Sequence, residues 1–194
     1  LTTVRNQMEA QKNAQLNLKD TAKRQNQRVA LLEKQITAIE GEIKVLVKAD
    51  EELKQQVSYV QSIRGIGFAT AVTLIAETQG FKYVENKSQL VSYAGLDVVK
   101  RESGTSVRGR TCISKKGNSH IRKALHFPAM VAVKVEGDMK ELYDRVLERN
   151  PKIKMKALVA VQRKLLVLAY TLYKNKTTYD PKYIQKQAKV EELA

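Results

Sequence analysis

The sequence has 194 residues, a formal net charge of +15 and one cysteine, Cys112. A single cysteine excludes an internal disulfide and a thiolate metal cluster, so we expect a reducing cytoplasm. No apolar run approaches the roughly 20 residues that a membrane span needs, and no signal peptide is visible, so no membrane partner is expected. Residues 1–60 hold ten basic and eight acidic residues, which leaves a net +13 on residues 61–194. That second part is the expected nucleic-acid face.

Residues 1–60 carry an apolar seam with the alternating three- and four-residue spacing of a coiled coil. The seam is fully apolar from Val29 to Leu46 and is interrupted at Asp50 and at three glutamines before Val29. The segment contains no proline and only one glycine, Gly41. We therefore predict a long helix that pairs with another copy, as a dimer or tetramer, because such a helix is not stable alone. The alternative is a hairpin that folds back near Gly41 and buries its own stripe.

The rest of the chain predicts a compact multi-helix domain, so the fold class is all-α, with a basic loop between helices. Short apolar or capped segments predict five helices, with a kink at Pro128 in the third; their ranges are 69–78, 88–94, 118–135, 139–149 and 154–174. A short hairpin over 98–113 is open as an alternative to a simple loop. The predicted divisions are a coiled-coil helix at 1–60, a helical domain at 61–176 and a polar tail at 177–194.

A glycine-containing turn follows the long helix. Residues 63–67 read IRGIG, the form of a helix-hairpin-helix turn. Gly65 and Gly67 would let the backbone turn tightly and approach a phosphate at the start of the next helix. The alternative is a tight turn between helices that binds nothing.

The segment from Lys100 to Lys123 is the most informative stretch for function. It contains one acid, Glu102, several turn-forming residues and eight cations, which we predict to contact nucleic acid: Lys100, Arg101, Arg108, Arg110, Lys115, Lys116, Arg122 and Lys123. Such a cluster repels itself unless it meets a polyanion. The alternative is a solvated basic connector.

Ser103 lies inside this basic segment, between Glu102 and Gly104. A serine can attack a phosphate if a base takes its proton and cations stabilise the developing charge. No general base is evident, because His120 and His126 fit surface or packing positions better. The residues alone therefore favour a turn dipeptide at Ser103. The acids after residue 60 show no paired spacing, so we predict no metal site and no cofactor in this chain.

The sequence contains three blocks: IRGIGFATAVTLIAE, QLVSYAGLDVVKRESGTSVRGRTCISKKGNSHIRKALHFPAMVA and KMKALVAVQRKLLVLAYTLYKNKTTYDP. In this order they resemble the C-terminal domain of bacterial insertion-sequence transposases of the "IS one-ten / one-sixteen" type. The resemblance covers roughly Ser62 to Pro181, and residues 1–60 are similar to the coiled coil that precedes this domain in the family.

The resemblance implies more than the residues themselves indicate. Members of this family join an N-terminal RuvC-like domain, with four acidic Mg²⁺ ligands, to a C-terminal domain with an essential serine. They recombine DNA under the guidance of a structured bridge RNA. Carried over to this sequence, the serine is Ser103, and the partners are DNA, a guide RNA and further copies of the chain in a bacterial cytoplasm.

The acids after residue 60 are scattered and do not resemble the four Mg²⁺ ligands of the RuvC-like domain. We therefore expect this chain to lack that domain and to be inactive alone. The alternative function is a non-catalytic module for nucleic-acid binding and oligomerisation.

Overall fold

The computed structural model describes residues 19–99, 102–103, 107–108 and 112–181. These residues confirm the all-α prediction, since the strands among them are only two residues long. The chain divides after Leu53 into two compact units. We describe each unit by itself.

The first unit is built on one long helix, α1 (Lys19–Ala49). Gly41 lies inside this helix, so the alternative of a hairpin folding back near Gly41 is wrong. Several apolar side chains of α1 are exposed in the single chain, among them Ile36, Ile39 and Leu46 of the predicted seam. The coiled coil stays a prediction, and its part over residues 1–18 lies outside the described residues.

Asp50 ends α1 and begins the next helix, α2 (Glu51–Gln61). The Asp50 side chain accepts a hydrogen bond from the backbone N–H of Leu53 at 3.0 Å. This is the N-cap arrangement, in which a carboxylate satisfies a free N–H of the first turn. The seam is interrupted at Asp50 because this residue caps a further helix, so the continuous helix expected over residues 1–60 is broken at this position.

The second unit contains six more helices in its described part. They are α3 (Phe68–Glu77), α4 (Lys87–Tyr93), α5 (Ser119–Ala124), α6 (His126–Ala132), α7 (Asp138–Arg149) and α8 (Lys154–Asn175). Helix α8 packs against α4, α6 and α7 and buries Val161, Leu165 and Leu166 completely. Its apolar residues recur at helical spacing, which is why one face of this helix is buried in the core. The fully buried Phe81 packs edge-on against Tyr170, with ring centroids 5.5 Å apart.

Pro128 accounts for the separation of α5 from α6. The sequence predicted one helix over 118–135 with a kink at Pro128, but the structure has two helices that meet at Leu125. Proline has no N–H to donate to the carbonyl four residues earlier, and its ring collides with that carbonyl. The helix therefore ends at Ala124, four residues before the proline, and restarts at His126.

The basic segment forms a β-hairpin, as one of the two alternatives predicted. Its strands are β1 (Val98–Val99), β2 (Glu102–Ser103), β3 (Val107–Arg108) and β4 (Cys112–Ile113). Strand β1 pairs antiparallel with β4, and β2 pairs antiparallel with β3. The pair β2–β3, which contains Ser103, lies between β1 and β4 along the chain and is therefore the pair nearer the tip of the hairpin.

The first residues of the predicted tail pack against the second unit. The backbone N–H of Tyr179 donates to the hydroxyl of Ser62 at 2.7 Å, and Tyr179 is half-buried. Burial, with the Asp138 carboxylate nearby, raises the pKa of the Tyr179 hydroxyl, although Arg64 acts in the opposite direction. Residues 177–181 are therefore part of this unit, whereas 182–194 lie outside the described residues.

Candidate nucleic-acid interface

The base of the hairpin is held by two glycines that touch each other. Gly95 follows α4, and Gly117 precedes α5. A Cβ on Gly117 would lie 2.5 Å from the backbone nitrogen of Gly95 and 2.7 Å from the carbonyl oxygen of Ser92, and closer still to that of Tyr93. Real side chains do not come so near to backbone atoms. The two ends of the hairpin can approach only because neither residue has a side chain.

Arg122 fixes this junction from α5. Its Nη1 donates to the carbonyl oxygens of Ala94 and Gly117, both at 2.8 Å, and to that of Asn118 at 3.2 Å. Its Nη2 donates to the carbonyl of Lys115 at 3.3 Å. The guanidinium thus ties the end of α4 to the end of the hairpin, since five fixed donors allow several backbone contacts at once.

Asn118 joins three elements at the same place. Its side-chain oxygen caps α5 by accepting from the N–H groups of His120 and Ile121 at 2.8 and 3.3 Å. Its side-chain nitrogen donates to the Glu77 carboxylate at 2.6 Å, and its backbone N–H donates to Tyr93 O at 2.7 Å. Asn118 is therefore the N-cap of α5, and its bonds to α3 and α4 are contacts that the sequence did not reveal.

A further pair of residues closes the hairpin next to its first strands. The hydroxyl of Ser114 donates to the carboxylate of Asp97, and the backbone N–H of Ser114 donates to Asp97 O at 2.9 Å. These two residues flank β1 and β4. Neither was predicted as a functional residue, and the signal for both was that they stand inside the quoted blocks YAGLD and CISKKGN.

The hairpin presents Ser103 in β2, where it lies opposite Val107, while Glu102 lies opposite Arg108. For these four residues the structure describes the strand pairing alone. The predicted contacts Lys100, Arg101 and Arg110 lie outside the described residues. The roles of all of them in binding or catalysis stay predictions.

The other predicted cations lie around the base of the hairpin and differ in their surroundings. Lys115, Lys116 and Lys123 are exposed, and Lys115 adopts a left-handed backbone with φ of 56°. Arg122 is half-buried and donates to the backbone. The three lysines are free to meet a ligand, and the structure adds a role in holding the hairpin for Arg122.

The glycines of the IRGIG turn differ from each other. Gly65 has a left-handed φ of 93°, and a Cβ there would lie 2.8 Å from the carbonyl oxygen of Pro128 in α6. A glycine is therefore required at position 65, because the backbone there packs directly against α6. Gly67 is exposed at the N-cap of α3, has nothing within 4 Å of an added Cβ, and leaves the first N–H groups of α3 without a side-chain cap. Phosphate contact at this turn stays a prediction.

The two histidines occupy the kinds of position that the sequence suggested. His120 is exposed in α5, and the half-buried His126 lies 3.1 Å from the side-chain nitrogen of the buried Gln162, measured to Nδ1. Within residues 19–99 and 112–181, and in the described strands between them, no group of three or more His, Cys, Asp or Glu could hold a metal ion. The described part of the chain also contains no helix long and apolar enough to cross a membrane.

The hairpin, its base and the IRGIG turn all lie within residues 57–144, which match the model of the transposase IS116/IS110/IS902 family. This part of the chain is similar to that family. The resemblance drawn from the sequence blocks is thereby confirmed.

Among curated relatives, the chain is similar to the pilin gene-inverting protein of Moraxella bovis, with 27% identity over 145 residues, which are 75% of this chain and 45% of that protein. It is 29% identical over 143 residues to the transposase for insertion sequence element IS1111A of Coxiella burnetii, covering 72% of this chain and 38% of that protein. It is 25% identical over 143 residues to an uncharacterized 43.6 kDa protein of insertion element IS110 of Streptomyces coelicolor, covering 74% and 34%. The chain spans less than half the length of these relatives.

Proposed function

We propose that this chain is the serine-bearing part of a DNA transposase and that Ser103 is its nucleophile. The observation that carries the proposal is the hairpin, which presents Ser103 on a short pair of strands flanked by cations. Two relatives support the reaction class, since one is named a pilin gene-inverting protein and the other a transposase. Both names describe rearrangement of DNA.

The chemistry is a transesterification at phosphorus. The Ser103 hydroxyl attacks the scissile phosphate, a phosphoserine ester forms, and the bond from phosphorus to a DNA oxygen breaks. The leaving DNA oxygen takes up a proton, which balances the proton lost by the serine. Attack by a hydroxyl of another DNA strand on the phosphoserine then rejoins DNA and restores Ser103. The arginines near Ser103 in sequence suit the negative charge of the transition state, because a guanidinium binds two phosphate oxygens at once.

The base of the hairpin supports this assignment through its rigidity. The Gly95–Gly117 contact, the Arg122 hydrogen bonds and the Asn118–Glu77 bond fix where the hairpin leaves the helical unit. A nucleophile held within about an ångström of its attacking position gains rate because little ordering is left to do. The exposed Lys115, Lys116 and Lys123 would hold the DNA backbone beside it.

We expect the metal chemistry to belong to a RuvC-like domain of the full-length parent protein. The described side chains do not form a Mg²⁺ ligand set, so no step of the reaction is attributed to a metal held by them. We expect the chain to bind DNA, and a guide RNA, but not to cleave DNA without that domain, in a bacterial cytoplasm. The exposed apolar stripe of α1 would pair with another copy.

A covalent protein–DNA adduct is the direct test. The full-length parent protein with its guide RNA and Mg²⁺ is incubated with labelled target DNA and analysed on a denaturing gel. The Ser103→Ala variant should lose the adduct and keep DNA binding. Ser106→Ala is the matched control, because it removes a hydroxyl from the same hairpin segment and should keep the adduct.

The second candidate function is a non-catalytic module that binds nucleic acid and oligomerises. It is favoured by the open stripe of α1 and the exposed lysines, neither of which needs Ser103. It predicts that the full-length parent protein acts on DNA equally well with Ser103→Ala, because the chemistry does not depend on Ser103. Sedimentation of the chain and of a Leu46→Asp variant tests the pairing, since a buried charge in the seam should leave only monomers.

A further inference from the structure

The loop between α3 and α4 is held in a costly conformation that projects two side chains into solvent. Gln79, Gly80 and Phe81 all have left-handed φ values, of 47°, 65° and 56°. Such a backbone costs roughly 1 kcal/mol or more for each non-glycine residue and persists only where the surroundings impose it. Here the complete burial of Phe81 and its N–H bond to the Thr78 hydroxyl, at 3.2 Å, impose it. Lys82 and Tyr83 follow at once and are exposed.

Tyr83 of this loop and Tyr93 of α4 border the same cleft. Tyr83 is 67% exposed and Tyr93 46% exposed, and both border a cleft of about 110 Å³ that also contains Gln79 and Gln89. The Tyr93 hydroxyl donates to Glu77 O at 2.9 Å, which fixes its ring. Single exposed aromatic residues are ordinary on protein surfaces. Two exposed tyrosines in one cleft with two amide side chains provide ring faces for stacking and donors and acceptors for the edge of a base.

Three lysines border a second depression near this loop. Lys82, Lys87 and Lys174 border an open groove of about 640 Å³ together with one acid, Glu85. The Nζ atoms of Lys82 and Lys174 lie 5.8 Å from the ring centroids of Tyr83 and Tyr170. Among the described residues, none of the three lysines forms an ion pair. The groove therefore has an excess of positive charge and suits phosphates.

The cleft and the groove adjoin, because Val84 lines both of them. Charge differs between them: the one charged residue that lines the cleft is the acid Glu77, which disfavours a phosphate, whereas the groove is lined by three lysines and one acid. An occupant with uncharged planar groups on one edge and phosphates on the other matches this division. A single nucleic-acid strand has that form, whereas the stacked bases of a duplex cannot reach the tyrosine rings.

The cleft also lies beside the base of the hairpin. Tyr93 accepts a hydrogen bond from the Asn118 N–H through its backbone oxygen, and Glu77 accepts one from the Asn118 side chain. A strand that reaches the hairpin would thus pass this surface. We propose that Tyr83, Tyr93, Lys82, Lys87 and Lys174 bind an unpaired DNA strand next to the cleavage site. The choice of DNA over RNA rests on the proposed function, in which the hairpin acts on DNA.

Fluorescence anisotropy with the 194-residue chain tests this surface. The probes are labelled oligothymidine of about 12 nucleotides, a duplex of the same length and oligouridine RNA. Tyr83→Ala should weaken oligothymidine binding by about tenfold, whereas Tyr83→Phe, which keeps the ring face, should bind like the parent. Tyr83→Ala should change the affinity for the duplex by less than about twofold, because a duplex does not use the cleft. Phe127→Ala is the matched control, since Phe127 is 70% exposed on α6, outside the cleft.

The lysines are tested through the salt dependence of binding. Replacing both Lys82 and Lys174 by glutamine should reduce the log–log salt slope for oligothymidine by about 1.4, at about 0.7 per lost phosphate contact. Lys152→Gln, at an exposed lysine outside the groove, should leave the slope unchanged.

Three results would overturn the proposal: unchanged oligothymidine affinity in Tyr83→Ala, an equal loss on duplex, or tenfold tighter binding of oligouridine by the parent chain. This test is separate from that of Ser103. The Ser103→Ala variant should bind oligothymidine normally, so absence of a covalent adduct would defeat the proposed nucleophile and leave the strand-binding result standing.

Discussion

Replacing Gly117 by alanine is the sharpest test of how the hairpin is held. The added Cβ would lie 2.5 Å from Gly95 N and 2.7 Å from Ser92 O, and closer to Tyr93 O. All three contacts are with backbone, so no flexible side chain can move aside. Relief requires the end of α4 and the segment before α5 to separate, which breaks the 2.7 Å hydrogen bond from Asn118 N to Tyr93 O.

The magnitude follows from two costs. Forcing an extra methyl group into a packed site costs about 1–3 kcal/mol. The lost backbone hydrogen bond adds about 1 kcal/mol. We therefore expect Gly117→Ala to lower the free energy of unfolding by about 3 kcal/mol. Gly67→Ala is the matched control: an added Cβ there meets nothing within 4 Å, and changing an N-cap glycine to alanine costs less than about 1 kcal/mol.

Urea unfolding followed by tyrosine fluorescence measures this difference in the second unit alone. The chain has no tryptophan, and all eight tyrosines lie after Leu53. The unfolding midpoint of Gly117→Ala should fall while the slope m is unchanged. If Gly117→Ala proves as stable as Gly67→Ala, the close backbone contact at the hairpin base is refuted, and with it the argument that this base positions Ser103.

Further substitutions test other parts of the second unit by the same unfolding assay. Arg122→Gln should lower stability by about 2 kcal/mol, because it leaves backbone carbonyls without their charged donor; retention of full stability would contradict the clamp. Gly65→Ala should cost about 2 kcal/mol, since its Cβ meets Pro128 O at 2.8 Å with φ at 93°. The free energy of unfolding of Gly65→Ala should be well below that of Gly67→Ala, and equal values would contradict this packing. For Tyr179, burial raises the folded-state pKa above the ordinary value of 10.0, so the hydroxyl is favoured in its neutral form. Stability should be full below pH 10 and fall as pH rises through the raised pKa, and Tyr179→Phe should lose that part of the decline.

The helices themselves were largely determined by local sequence. The apolar repeat of α8 identified this helix to within one residue at its C-terminal end. The helix predicted from residue 118 likewise begins with Asn118 as its N-cap. These predictions succeed because spacing and capping act within a few residues. The resemblance to the transposase family was likewise evident from the sequence, because the three blocks that carry it stand in order along the chain. The same reasoning missed the helix break at Asp50, since the three- and four-residue spacing continues past this residue even though Asp50 itself is not apolar.

Only the tertiary structure decided which residues contact distant parts of the chain and which are exposed. Arg122 and Lys123 are neighbours in one basic run, yet one is half-buried and donates to carbonyls as far away as Ala94 and the other is exposed. Gly65 and Gly67 read as one motif, but only Gly65 presses against α6. Sequence fixes residue type and local periodicity, whereas burial and hydrogen-bond partners depend on chain segments that meet only after folding. For that reason the charge of the chain was evident at once, and the separation of anchoring from exposed cations was not.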